Sequence, residues 1–275
     1  GEELYSWQFQ MEYEPIIHGL LDDGEGGYIV AGYTELDYRS RYDFMLFKVS
    51  TEGEIEWQRI YEDRPRDQKC YALAMMPDEG YMLVGSTGEN NFGNEVNVIR
   101  TDEEGELIWQ EHYGTEFIDI RANEGGYGFV STDDGNLVIV GETLAVDDID
   151  EVNYNVLMIK IDPDGEVIWM EVIDLGRKER GRSIALTMDG GYLLSGFSSV
   201  GRTDIGNPLM IKIDNLGIPV WSYVQETVSS NTNHAHHMSA ITHEDRTFSL
   251  ISGLTSGVRG FPSFMQKFGR DPHGV

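Results

Sequence analysis

Short apolar runs recur along the chain, and each one ends in a glycine. The spacing between these glycines is 53 to 57 residues, and they are Gly32, Gly85, Gly141, Gly196 and Gly253. Tryptophans mark a similar period of 50 to 60 residues, at Trp7, Trp57, Trp109, Trp169 and Trp221. Two independent markers with the same count predict five structural repeats.

Each repeat predicts four short strands. An inner apolar segment leads through an Asp/Glu/Gly turn into the strand that ends in the repeat glycine, and a polar loop then leads to an alternating strand such as 157–161. A turn of the form Asp-x-x-Gly, such as 162–165, precedes the tryptophan strand, and Asp, Pro and Gly at its first, second and fourth positions favour a type I turn between antiparallel strands. No helical periodicity of useful length is present, so we predict an all-β fold.

Four-stranded units repeated radially are the blades of a β-propeller, so we predict one domain, residues 1–275, with five blades of four antiparallel strands. The chain begins with a tryptophan strand at 4–7 and ends in a turn at 271–274 with no tryptophan strand behind it. We therefore expect the N-terminal strand to complete the last blade and close the ring.

The repeated pattern Gly-Tyr-x-x-x-Gly, followed by Lys-x-Asp-x-x-Gly-x-x-x-Trp, resembles the bacterial and archaeal propeller repeats of the delta-60 type. It is also similar to the tryptophan-docking motif of quinoprotein-like propellers. The likeness covers essentially the whole chain, although Arg100 replaces the lysine of the second repeat and 269–271 distorts the fifth. The resemblance implies an extracellular or cell-envelope location and, since quinoprotein dehydrogenases have more blades, no quinone cofactor.

Charge and composition narrow the classes of partner. The formal net charge is −28, from 20 Lys and Arg against 48 Asp and Glu, which excludes a protein that mainly neutralises nucleic-acid phosphates and disfavours anionic membranes. The hydrophobic fraction of 40% is enough for a buried core. The one cysteine, Cys70, allows no intrachain disulfide, and no apolar run reaches the length of a membrane span. We expect a monomer with neither nucleic-acid partner nor membrane span.

The repeated residues predict structural roles. The tryptophans are expected to wedge between neighbouring blades, and the repeat glycines to permit tight turns or close backbone approach. A lysine recurs at one position of the alternating strand, where a solvated or blade-bridging role is expected: Lys48, Lys160, Lys212 and Lys267.

Function is expected where the repeats differ. The connections between second and third strands, such as 142–153, and those between blades vary in length and emerge on one face, around the predicted channel entrance. Equivalent positions of the innermost strands are found by counting the same number of residues back from the start of each glycine-terminated strand. The residues aligned in this way are His18, Tyr71, Tyr127, Arg182 and Met238. Two residues earlier, on the same side of the strand, the aligned positions are Ile16, Lys69, Gly125, Arg180 and His236.

The predicted channel is rich in cations and aromatic residues. Residues 59–71 and 177–182 together hold eight of the 20 cationic residues, a concentration that favours a small anion such as a carboxylate, phosphate, sulfate or acidic sugar. The alternative is that these cations pair with acidic loops and only hold the rim together. The candidate ligand-binding residues are His18, Lys69, Tyr71, Tyr127, Arg180, Arg182, His234, His236 and His237.

Two segments contain potential metal ligands. His234 and His236 form a His-x-His pair that suits Zn²⁺ or Cu²⁺, with ligand hydrogen bonding and an ordinary polar loop as alternatives. Asp147, Asp148 and Asp150 could hold Ca²⁺, but the EF-hand spacing is missing and a solvated acidic loop is favoured. No metal or other cofactor is assigned.

Three classes of function remain open. The first is a binding module for a small anionic or carbohydrate ligand or for a protein partner, and it is preferred because no Gly-x-Ser-x-Gly, Walker or dinucleotide pattern is present. The second is a carbohydrate-active enzyme, a glycan hydrolase or lyase, with Tyr71 or Tyr127 as acid/base, His18 or His236 as base, and the two arginines as carboxylate clamps. The third is a scaffold whose acidic surface serves solubility or salt adaptation.

Overall fold

The chain forms antiparallel β-sheets throughout the part that the structure describes. The structure, a computed structural model, describes residues 11–37, 41–88, 93–115, 124–146, 152–199, 206–224, 232–243, 246–256 and 263–269. These ranges contain 19 strands and no helix, so no helix within them could cross a membrane. Contacts between Cα atoms divide the chain into two compact units, residues 1–114 and 115–275.

Unit 1 contains two four-stranded antiparallel sheets, each with its strands side by side in chain order. The first sheet consists of β1 (Pro15–Asp22), β2 (Tyr28–Asp37), β3 (Arg41–Val49) and β4 (Ile55–Tyr61). The second consists of β5 (Asp67–Met75), β6 (Tyr81–Gly88), β7 (Asn94–Thr101) and β8 (Leu107–Tyr113).

Unit 2 contains two further four-stranded sheets and one three-stranded sheet, again in chain order. The first consists of β9 (Gly125–Ser131), β10 (Leu137–Val146), β11 (Val152–Ile161) and β12 (Val167–Ile173). The second consists of β13 (Lys178–Leu186), β14 (Tyr192–Ser199), β15 (Asn207–Ile213) and β16 (Pro219–Val224). The third consists of β17 (Thr232–His243), β18 (Arg246–Ser256) and β19 (Ser263–Gly269).

The predicted four-stranded repeat is confirmed in four sheets. The described residues of the fifth repeat give three strands, so they do not support a fifth four-stranded blade. The strand expected to complete it, 4–7, lies outside the described residues, as does the final turn at 271–274. The all-β fold is therefore established, and the five-bladed ring stays a prediction.

The Asp-x-x-Gly turns form as the sequence predicts. In three of them the Oδ1 atom of the leading aspartate accepts hydrogen bonds from the backbone N–H groups two and four residues later. The closing glycines, Gly105, Gly165 and Gly217, have φ of 76° to 89°, a left-handed conformation that costs other residues free energy. The ladder register shifts next to each turn, so these are type I turns that end in a glycine bulge.

The tryptophans that can be followed in the structure are structural. Trp57 of β4 packs on Tyr81 of the neighbouring sheet in unit 1, with ring centroids 6.2 Å apart. Trp169 of β12 packs in the same way on Tyr192 in unit 2, at 6.5 Å. Each ring borders a core of buried Val, Ile, Leu and Tyr side chains between two sheets. The wedge role is thus confirmed for these two tryptophans.

The recurring cation of the third strand has a different role from the one expected. Lys48, Lys160 and Lys212 each pair with an aspartate in the turn between the first two strands of their own sheet, at 2.8 to 3.4 Å. Arg100, at the same position of β7, pairs with Asp78 in the same way. A blade-bridging or merely solvated role is therefore wrong for these four, because the pair lies within one sheet. The Lys267 side chain lies outside the described residues.

The first strand of every sheet contains a β-bulge opposite the repeat glycine. The bulged residue has no direct partner in the ladder, and the five bulged residues are His18, Tyr71, Tyr127, Arg182 and His236. A Cβ on Gly85 would collide with the carbonyl oxygen of Lys69, and one on Gly196 with that of Arg180. The repeat glycine therefore allows the close backbone approach that was predicted for it, and it does so at the bulge.

The register corrects one alignment made from the sequence. In the fifth repeat the bulge lies between Ala235 and His237, so His236 rather than Met238 is equivalent to Arg182, and His234 is equivalent to Arg180. The hairpin of β17 and β18 is three residues longer between bulge and glycine than those of the other sheets, which moved the count out of register.

Candidate functional site

Two arginines and one carboxylate form the most strongly charged partly buried group in unit 2. Arg182 is the bulged residue of β13, and Arg180 precedes it by two residues. Glu142 follows the repeat glycine Gly141 in β10 of the neighbouring sheet. Its Oε2 atom lies 3.0 Å from Arg182 Nη2 and 3.5 Å from Arg180 Nε. Together with the three aromatic rings described next, these side chains form what we call the arginine cluster.

Aromatic rings support both guanidinium groups. The Arg180 guanidinium lies 3.8 Å from the ring centroid of Tyr154, and that of Arg182 lies 3.8 Å from Tyr127. Phe197, which follows the repeat glycine of β14, lies 5.4 Å from the first and 5.0 Å from the second. Stacking on rings fixes the planes of the guanidinium groups and, through the negative faces of the rings, favours their charge.

Hydrogen bonds fix the carboxylate and one arginine further. The Tyr127 hydroxyl donates to Glu142 Oε1 at 3.0 Å, and Arg182 Nη1 donates to the carbonyl oxygen of Gly181 at 3.0 Å. Both arginine side chains are 18% exposed and the Glu142 side chain 8% exposed, so water screens the three charges weakly. The two ring-stacked guanidinium groups lie close enough together to contact one carboxylate group, an arrangement that suits the binding of a carboxylate, phosphate or sulfate.

A second group, in unit 1, is built mainly from aromatic rings. The His18 ring stacks on Tyr33 with centroids 5.5 Å apart and meets the edge of Tyr71 at 5.4 Å. Tyr33 makes edge contacts with Tyr42 at 5.2 Å and Tyr71 at 6.3 Å. Lys69 Nζ lies 5.1 Å from the Tyr42 ring centroid. We call these five residues, with Asp67, the tyrosine cluster.

Partial burial keeps two titratable groups of the tyrosine cluster, His18 and Tyr33, uncharged. The His18 side chain is exposed, but the rings packed around it displace water and lower the pKa of its imidazole. Desolvation raises the pKa of Tyr33. Both groups are therefore neutral at pH 7, and the charges of the cluster are Lys69 and Asp67, which lie 3.8 Å apart.

The basic segment 59–71 is matched by carboxylates. Arg59 pairs with Glu106 at 2.8 Å, Arg66 with Glu95 at 2.7 Å, and Arg64 with the fully buried Asp43 at 3.2 Å. With the Lys69–Asp67 pair, every cation of this segment has an acidic partner. For residues 59–71 the structure thus favours the alternative in which cations hold neighbouring segments together. In 177–182, Arg180 and Arg182 both contact the carboxylate of Glu142.

The structure brings together six of the predicted site residues in two groups. His18, Lys69 and Tyr71 lie in the tyrosine cluster, and Tyr127, Arg180 and Arg182 lie in the arginine cluster. The backbone of His234, His236 and His237 belongs to β17, but their side chains lie outside the described residues. Asp147, Asp148 and Asp150 also lie outside them. Within the described part of the chain, no three His, Cys, Asp or Glu side chains are grouped closely enough to hold a metal ion.

Cys70 has no sign of reactivity. The thiol is buried in the core of unit 1, and burial raises its pKa to about 12. The thiolate is therefore not populated at neutral pH, as expected for a structural cysteine.

Sequence reasoning missed the partners of the predicted residues. Tyr33, Glu142 and Phe197 each follow a repeat glycine, and two of them begin segments that were expected to be loops. In the structure β2, β10 and β14 continue several residues past the glycine, which places these side chains in the sheet. The sequence could have identified them by their position, because each directly follows a repeat glycine and therefore lies next to the bulge.

A scan of the sequence against protein-family models finds no match, and a search of curated proteins finds none either. Solved structures do match. A polysaccharide lyase is similar with a TM-score of 0.52 and 12% identity over 94% of this chain and 58% of the lyase chain. A mutant levansucrase from B. megaterium has a TM-score of 0.49 and 10% identity, over 94% and 84% of the two chains. A mutant levansucrase from Bacillus subtilis has a TM-score of 0.47 and 12% identity, over 90% and 81%.

At 12% identity the likeness to the lyase shows a shared fold and nothing about chemistry. This chain spans a little over half of the lyase, 58% of its length. The fold comparison therefore agrees with the all-β sheets described above.

Proposed function

We propose that the protein is a binding module whose arginine cluster holds the carboxylate of a small anion or of an acidic carbohydrate. The observation that carries the proposal is the pair of ring-stacked guanidinium groups of Arg180 and Arg182, which lie side by side and both contact the Glu142 carboxylate.

The position of the cluster supports binding rather than a purely structural role. Arg180 and Arg182 belong to a strand and are held by rings from three other strands, so the donors are preorganised and lose little freedom when a ligand binds.

An acidic carbohydrate is the ligand class that fits best. The site combines charged donors for a carboxylate with the partly exposed rings of Tyr127 and Tyr154, whose edges a sugar ring can contact. The polysaccharide lyase with the same fold supports this class by its name alone.

Calorimetric titration of the whole chain with oligosaccharides of glucuronate and of galacturonate tests the proposal. Binding should weaken as salt rises, and Arg182→Gln should lower the affinity at least about tenfold, since a charge-assisted hydrogen bond contributes about 1.5–3 kcal/mol. Arg59→Gln is the matched control, because it removes one charge from an exposed pair in unit 1 and should leave the affinity unchanged.

The neutral parent oligosaccharides serve as the second comparison for this site. Failure of every acidic oligosaccharide to bind, or equal losses in Arg182→Gln and Arg59→Gln, contradicts the proposal. Citrate, phosphate and sulfate in the same assay separate a small-anion site from one that needs a sugar.

Acid–base catalysis on an acidic saccharide is a second candidate, and Tyr127 favours it. Its hydroxyl is bonded to Glu142 and its ring lies under Arg182, so it sits beside the position proposed for the ligand carboxylate. A lyase would abstract the proton from the carbon that bears that carboxylate and break the bond between the next carbon and the glycosidic oxygen. The two carbons are then joined by a double bond, which ultraviolet absorbance detects, and the glycosidic oxygen leaves as a hydroxyl group. Tyr127→Phe should then abolish turnover and leave binding intact. No absorbance change with any of the acidic oligosaccharides would contradict the lyase function, and only the binding function would be kept.

We also propose that the repeats build a five-bladed propeller closed by the N-terminal strand. The support is that all five first strands carry the same bulge opposite the same repeat glycine. If the ring is closed in this way, Trp7→Ala should lower the thermal midpoint about as much as Trp57→Ala. A Trp7→Ala variant as stable as the parent protein contradicts the closure.

A further inference from the structure

The tyrosine cluster belongs to unit 1 and shares no residue with the arginine cluster of unit 2, and its chemistry is different. We propose that the tyrosine cluster is a second ligand site, which binds the ring face of a neutral saccharide. The inference goes beyond the anion-binding function and does not depend on it.

The rings of this cluster are not needed for the core of the unit. That core is formed by buried side chains such as Phe44, Leu46 and Leu83, with Tyr61 and Tyr81 as its tyrosines. Tyr33, Tyr42 and Tyr71 are only partly buried, and His18 is exposed. Four aromatic residues gathered at a sheet end, in contact with each other and with solvent, expose apolar surface that a saccharide C–H face can cover.

Polar groups flank the rings where sugar hydroxyl groups would need them. Lys69 and Asp67 are just over a third exposed at their side chains, 36% and 37%, and their charges compensate each other. Asp67 Oδ1 also accepts the backbone N–H of Tyr42 at 2.7 Å, which fixes the carboxylate against the cluster. A neutral imidazole at His18 adds one donor and one acceptor. An apolar platform with a few fixed polar groups and no net charge is typical of a site for a neutral sugar.

The backbone holds these side chains rigidly. His18 and Tyr71 are the bulged residues of β1 and β5, and Tyr33 follows the repeat glycine of β2. The arginine cluster uses the same three kinds of position for Tyr127, Arg182 and Glu142. Within each unit the same backbone frame therefore presents different side chains, aromatic and neutral in unit 1 and cationic in unit 2.

Saturation-transfer NMR on the full chain tests the proposal, with neutral tetra- to hexasaccharides of glucose, xylose and mannose as probes. We expect saturation transfer to the ring protons of at least one series and a shift of the His18 imidazole resonances on its addition. His18→Ala and Tyr71→Ala should each weaken binding at least about fivefold, in line with the loss of one aromatic contact.

Three variants make the outcome decisive. Tyr223→Ala is the matched control, because this tyrosine is 38% exposed on β16 outside both clusters, and it should bind as the parent does. If Tyr71→Ala fails to fold, Lys69→Gln with Asp67→Asn tests the polar groups instead. Arg182→Gln should keep neutral-sugar binding, so the two proposals fail independently. No transfer from any probe, or transfer that survives in His18→Ala and Tyr71→Ala, overturns the second site.

Discussion

A buried carboxyl or amide side chain anchors the start of the first strand in three of the sheets. Gln68, Glu124 and Glu179 each precede the bulged residue by three positions and are almost completely buried. Gln68 Nε2 donates to the carbonyl oxygen of Tyr61 at 2.9 Å, and Glu124 accepts from the backbone N–H of Thr115 at 3.0 Å. One side chain at this position therefore fastens the connection that enters each sheet.

Glu179 is the member of this set that should limit stability at neutral pH. It accepts long hydrogen bonds from Leu175 N–H and from the Ser198 hydroxyl, both at 3.4 Å, and one from the backbone of Arg177, but burial still raises its pKa to about 7. A raised carboxyl pKa means that folding favours the protonated form. The associated stability is complete below the unfolded pKa and is lost as pH rises toward 7.

We therefore expect Glu179→Gln to stabilise the protein above neutral pH. Its amide can accept from Leu175 N–H and donate to the Ser198 hydroxyl without carrying charge. The gain in the free energy of unfolding should be about 2–3 kcal/mol near pH 8 and close to zero near pH 4.5, from 1.36 kcal/mol per pKa unit. Urea unfolding at both pH values measures it.

Glu124→Gln is the control for this change. Both Glu124 oxygens accept the Thr115 N–H, and Oε1 also accepts from the Thr143 hydroxyl at 2.9 Å, so the amide should destabilise the protein at either pH. Equal stability gains in Glu179→Gln at both pH values would show that charge is not the cause.

Glu142 allows a test of whether the arginine cluster accepts an external carboxylate. Glu142→Ala leaves two poorly solvated guanidinium groups without their carboxylate, which should cost about 2–4 kcal/mol. Acetate should then raise the thermal midpoint of this variant by at least about 3 °C more than chloride at equal ionic strength, because it can occupy the vacated position. Differential scanning fluorimetry measures both shifts.

The parent protein provides the comparison for Glu142→Ala. Its midpoint should rise less with acetate than that of the variant, because Glu142 competes with a free carboxylate for the two guanidinium groups. Identical responses of the variant to the two salts would mean that the guanidinium groups do not capture a free carboxylate.

At the scale of the element, the bulge depends on one glycine in each sheet. We expect Gly85→Ala to cost at least about 3 kcal/mol, because its Cβ would collide with a backbone carbonyl of β5 and the two strands would have to separate. Gly24→Ala is the comparison: its φ is 77° but nothing lies within 4 Å of the new Cβ, so the cost should be about 1 kcal/mol. Denaturant unfolding of both variants measures the two losses in the free energy of unfolding. Equal losses would mean that β5 and β6 can move apart at little cost.

The element pattern was largely predictable because it depends on local chemistry. Asp-x-x-Gly turns, glycine-terminated strands and tryptophan strands each carry a signal within a few residues, and the structure has four of the five four-stranded sheets that they predict. Strand length was not predictable in the same way. Segment 142–153 is polar, yet β10 and β11 pair through most of it, because the ladder continues as long as each strand offers the other hydrogen bonds.

About half of the residues in the arginine cluster could be predicted, because only those on the first strands follow a local rule. Counting along the first strand found Arg180, Arg182 and Tyr127, since the two-residue period of a strand is a local rule. Their partners Glu142, Tyr154 and Phe197 come from other strands, and only the pairing registers bring them near. The count failed at Met238 because a longer hairpin leaves the local pattern intact while shifting the register.

At the scale of the whole molecule, the net charge of −28 shapes how the chain responds to salt. The described cations of the basic segment 59–71 and of the third strands are engaged by carboxylates, so most acidic residues have no cation to face. Glu103 shows the consequence, because repulsion from Glu104 and Glu79 raises the pKa of its exposed carboxyl group.

Added salt should therefore stabilise the protein at neutral pH. Raising KCl to about 1 M shortens the Debye length to about 3 Å and screens the repulsion among carboxylates, so the thermal midpoint should rise. Near pH 4.4, the isoelectric point expected from the sequence, the repulsion is largely gone and the same salt series should have little effect. A flat series at pH 7 would mean that self-repulsion is not a significant cost to this fold. Equal rises at both pH values would instead point to a general salt effect on apolar burial, because only a screening effect depends on the net charge.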